Sequence, residues 1–80
     1  SDSPNLLKHH VNWRAQAIES LDREEIHDLH YSAAVSLSRR DARLIKDKVL
    51  EHIKENLSVI RASKEEEVYA LCMDFFCLKK

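Results

Sequence analysis

Hydrophobic and polar positions along this chain follow two different periods. Between Asn5 and Leu21 they recur every three to four residues. At about 100° per residue, Leu6, Leu7, Val11, Trp13, Ala17, Ile18 and Leu21 share one broad arc, which predicts a helix over 5–21. Pro4 suits the first turn. Two polar residues, His10 and Arg14, interrupt the apolar arc one turn apart. After the polar connection DREEIHD the period drops to two. Leu29, Tyr31, Ala33, Val35 and Leu37 alternate with His30, Ser32, Ala34 and Ser36, which predicts a strand over 29–37 with one core face.

The helical period then returns. Ala42, Ile45, Val49, Ile53, Leu57 and Ile60 form a stripe, and Ser38 with Asp41 three residues on is a short-armed capping box. A second helix is expected over 39–60. The closing stretch EEVYALCMDFFCL alternates again and predicts a strand over 67–78. It is apolar on both faces: Tyr69, Leu71, Met73, Phe75 and Cys77 form one row, and Val68, Ala70, Cys72, Asp74, Phe76 and Leu78 the other.

The expected fold is therefore α+β, in the order α-β-α-β. A helix between two strands normally makes them parallel through a right-handed crossover, so both helices are expected on one face of a small sheet. Parallel strands are stable when both faces are covered, and a two-stranded sheet is marginal. Leaving Val68, Phe76 and Leu78 wet would forfeit about 1.5–3 kcal/mol each. The reading thus expects a second copy to complete or cover the sheet as a homodimer, though a neighbouring domain of a longer chain would serve as well. The second row of the closing stretch (Val68, Ala70, Cys72, Asp74, Phe76 and Leu78) is the candidate interface.

Composition narrows the functional classes. Eighty residues make one domain, 1–80, with a margin of only a few kcal/mol. The chain has no Gly, which excludes phosphate-binding loops and dinucleotide fingerprints. A formal net charge of −1 argues against direct nucleic-acid contact by this segment. No apolar run is long enough for a membrane span and no signal peptide is visible, so a cytoplasmic setting is expected. The opening SDSPN reads as a linker edge, as in a domain excised from a longer chain. Cys72 and Cys77 lie on one expected strand roughly 16 Å apart and on opposite faces. That distance excludes a bridge between them and predicts reduced, buried thiols.

Four groups of residues invite a chemical role. His10 and Arg14 are a candidate grip for a small anion, or Arg14 lays its stem on the core with its head in water. Arg39, Arg40 and Arg43, with Lys46, crowd the start of the second helix, where arginines can hold phosphate. Asp41 and Asp47 neutralise part of that charge, so a solvated face is the simpler account. His27 and His30 lack the converging ligands of a structural zinc site. Asp74 needs a partner if it is buried, such as His30 or an Arg across an interface, or else it marks an exposed edge. No paired carboxylates and no Ser-His-Asp order stand out, and neither a cofactor nor a catalytic residue is expected.

From Leu6 to Leu78 the chain resembles a bacterial domain family of unknown function. The likeness rests on HVNWRAQAIESL, on LHYSAAVSLS leading into DARLIKDKV, and on EEVYALCMDFFCL. His10 matches the family's His in the first helix. Cys77 stands where relatives often have Pro, and Trp13-Arg14 replaces an apolar pair. The resemblance implies the C-terminal part of a transcriptional regulator with an upstream winged-helix domain that contacts DNA. The function expected is a non-catalytic regulatory and dimerisation module. The alternatives are a small-anion sensor using His10, Arg14, Arg39, Arg40 or Arg43, and, last, a small metal protein or enzyme using His27, His30 or a thiol.

Overall fold

The computed structural model describes residues 4–78, with Pro4 described through its backbone alone. The opening Ser1–Ser3 of the expected linker edge lies outside the described residues. Two helices follow in order, α1 over Pro4–Arg23 and α2 over Arg39–Ala62. They extend one to two residues beyond the expected limits, 5–21 and 39–60, except that α2 begins where expected.

The α+β expectation is overturned. Among the described residues no strand and no ladder is formed, and the chain is mainly α. Both stretches expected to be strands, 29–37 and 67–78, are irregular. The parallel pair, its right-handed crossover and a sheet carrying two helices fall with them. The physical reason is that period-two alternation reports a side-chain surface suited to half-burial. It supplies no partner for the backbone N–H and C=O groups, and two strands alone are marginal.

The chain divides into two units, Ser1–Ser32 with Tyr69–Phe76, and Ala33–Val68 with Cys77–Lys80. The first is built on α1, which ends without glycine. Glu24 adopts a positive φ of 50° just past the last turn, the left-handed conformation in which an L-residue costs roughly 1–2 kcal/mol. The turn that follows is closed by the Asp28 N–H donating to the Glu25 carbonyl at 3.0 Å.

The second unit is built on α2. Ser38, extended at φ −70° and ψ 159°, caps it, and its hydroxyl oxygen accepts from the Asp41 N–H at 2.9 Å. This satisfies one of the four unpaired amides of the first turn. Asp41 in the first turn and Arg61 in the last both complement the helix dipole. The helix closes at Ser63, whose N–H reaches the Ile60 carbonyl at 3.2 Å. Ala42, Ile45, Val49 and Ile53 of the expected stripe are half-buried, whereas Leu57 and Ile60 are exposed.

No apolar side chain is buried in either unit among the described residues. Ser20, at 9% exposure, is the buried residue of the described chain. No helix of the described residues is long and apolar enough to cross a membrane.

Candidate functional site: two polar clusters on the first helix

Arg14, Ala17 and Ser20 follow one another at three-residue steps on α1 and are its covered positions. Two polar clusters form there, and both lie within the first unit.

Arg14 is the centre of the larger one. Its Nε donates to Asp74 Oδ2 at 2.5 Å and its Nη2 to Asp74 Oδ1 at 2.7 Å, a two-pronged ion pair. Nη2 also donates to the Met73 carbonyl at 3.3 Å. Nη1 donates to the His10 carbonyl at 3.1 Å and lies 3.4 Å from His10 Nδ1, which accepts when the ring proton is on Nε2. A guanidinium has five N–H groups, and four of them are engaged by the Asp74 carboxylate and the Met73 and His10 carbonyls. The Arg14 hydrogen bond, with its charge as a lesser cause, holds the Asp74 carboxyl below the usual carboxylate range. The same hydrogen bond raises Arg14, whose charge is in any case permanent.

The cluster thus joins three residues singled out in the sequence, His10, Arg14 and Asp74. Asp74 is exposed and is paired with an Arg from 60 positions away. The Arg14 guanidinium is held by its own chain, through Asp74 and the Met73 and His10 carbonyls.

The second cluster was missed at the sequence level. Ser20 Oγ donates to Asp28 Oδ2 at 2.6 Å and lies 3.0 Å from His30 Nε2. Arg23 Nη2 approaches the same carboxylate at 3.9 Å. The residue types are those of a hydrolytic triad, but the order of contacts is not. A nucleophilic Ser gives its proton to His while the carboxylate orients the ring. Here the Ser hydroxyl sits between the carboxylate and the ring, and its proton points to Asp28. The arrangement ties the turn after α1 back onto the helix. Ser20 on the edge of the apolar arc was the available signal, because a polar residue facing inward needs partners.

The other candidates remain apart. Arg39, Arg40 and Arg43 are exposed on the first turns of α2 and carry no ion pair among the described residues. His27 is exposed, and no group of three His, Cys, Asp or Glu side chains is placed to hold a metal among the described residues. Cys72 and Cys77 are both free thiols, but Cys72 is half-buried and Cys77 exposed, so the expectation of buried thiols is corrected. Of the candidate interface row, Val68 is 98% exposed, Phe76 71% and Leu78 72%. Ala70 and Asp74 are exposed as well.

The described chain is mainly helical, its polar clusters tie the first unit together, and most of its large apolar side chains are exposed. The sequence profile of the domain family of unknown function DUF4423 matches residues 2–78, and the chain belongs to that family. No curated protein and no solved structure matches it.

Proposed function

We propose that this domain is a non-catalytic association module that pairs with a second copy of itself. In this reading it is the regulatory part of a bacterial transcriptional regulator in which an upstream domain contacts DNA. One observation carries the proposal: no apolar side chain of either unit is buried among the described residues, and the candidate interface row is exposed at Val68, Phe76 and Leu78. Large apolar side chains left open in this number favour a partner that covers them. The regulatory context rests on the resemblance of HVNWRAQAIESL and EEVYALCMDFFCL to domains so placed. Against the anion-sensing alternative, the Arg14 guanidinium already holds Asp74 and the Met73 and His10 carbonyls.

Sedimentation equilibrium at micromolar concentration tests the proposal. The expected result is a dimer mass, and Phe76→Asp is expected to weaken it. A parent chain that is monomeric throughout would refute it.

A further inference from the structure

We infer that the face of α1 formed by Leu7, Val11, Ile18 and Leu21 is an antiparallel, two-fold contact with a second copy of this chain. The inference rests on the self-association reading above and names the surface that performs it. Leu7, Val11, Arg14, Ile18 and Leu21 recur at steps of four, three, four and three residues. They fall within about 80° of arc, the spacing of a helix-pairing seam. The four apolar members are 53–65% exposed. Within the stripe only Arg14 is engaged by its own chain among the described residues, and the other covered positions of α1, Ala17 and Ser20, lie to one side of it.

Charge selects the occupant and its direction. Lys8 and Asp22 flank the stripe on the same side, near opposite ends of the helix. Both are exposed and neither has an ion pair among the described residues. They are roughly 21 Å apart along the axis, too far to meet within one helix. An antiparallel second copy brings each Lys8 to the partner's Asp22. The same alignment sets Leu7 against the partner's Leu21 and Val11 against the partner's Ile18, since all three pairs share a midpoint at Arg14–Ala15. A parallel alignment would set Lys8 level with Lys8 and Asp22 level with Asp22 on opposite flanks of the seam, and would bring neither to an opposite charge. The midpoint brings two arginines together, a repulsive contact unless each is neutralised. Asp74 neutralises Arg14 through its two-pronged pair.

Charge reversal across the seam is the test, read as a dissociation constant by sedimentation with helix content checked by circular dichroism. Lys8→Glu and Asp22→Lys are each expected to weaken the dimer by about tenfold, since each breaks two symmetry-related pairs and sets like charges together. The double variant K8E/D22K is expected to recover to within about threefold of the parent, because the pairs re-form with reversed sign. Ile18→Asp is expected to leave the chain monomeric. A chain that still associates in Ile18→Asp and in both single reversals, but dissociates in Phe76→Asp, would overturn this seam and leave the association module standing. A parent chain that is monomeric throughout would overturn both.

Discussion

Arg14 shows how a polar residue inside an apolar arc can be structural. Its guanidinium bridges α1 to the segment around Asp74 and uses the His10 and Met73 carbonyls for its remaining donors. Removing the carboxylate leaves the Arg charge without its counterion, whereas Asp74→Asn keeps shape and one acceptor. Because Asp74 is depressed below its ordinary value of 3.8 by the Arg14 hydrogen bond, the pair's contribution is complete above that value. It is lost as pH falls through the depressed value in the folded chain. Acid unfolding followed by circular dichroism is expected to show a stability loss below about pH 4 that Asp74→Asn lacks. Identical acid limbs in the two proteins would remove the pair from the account of stability. The pairing itself spans 60 positions. The sequence indicates that Asp74 needs a partner but not that the partner is Arg14, because such a contact depends on how the chain returns to α1.

The helices were legible because several local signals agree on them. In α2 the apolar stripe, the Ser38 cap, Asp41 in the first turn and Arg61 in the last all specify one element. The two alternating stretches had a single signal, side-chain period, and no such agreement. LHYSAAVSLS and VYALCMDFFCL each straddle the division between the two units. Their alternation describes a surface, not a ladder. The Ser20–Asp28–His30 cluster was hidden for a related reason. It depends on the left-handed Glu24 and the turn closing at Asp28, which redirect the chain just after the helix. At this scale the cap is the testable part. Ser38→Ala is expected to destabilise the chain by about 1 kcal/mol, read as a lowered urea midpoint with unchanged slope. Ser38→Asp, which keeps a capping acceptor, is expected to retain most of the parent stability, and an unchanged midpoint in Ser38→Ala would show that the cap contributes nothing.

At the scale of the whole molecule, stability and association become one quantity. Isolated helices of this length are marginal in water, and most helical stability in proteins comes from burying an amphipathic face. Neither unit buries an apolar side chain among the described residues, so neither supplies that burial by itself. A second copy that covers these faces binds the folded chain and not the unfolded one, and so raises the melting temperature by mass action. The helical signal of α1 and α2 is therefore expected to depend on concentration. Between about 1 and 100 μM the thermal midpoint is expected to rise by several degrees per decade, with dilution lowering the far-ultraviolet helical signal in step with the dimer fraction. Ile18→Asp is expected to flatten that dependence and to leave the high-concentration sample resembling the dilute parent. A midpoint independent of concentration over the same range would mean that the chain gains its stability without a second copy. The outward-facing apolar residues would then have to be explained by a different partner.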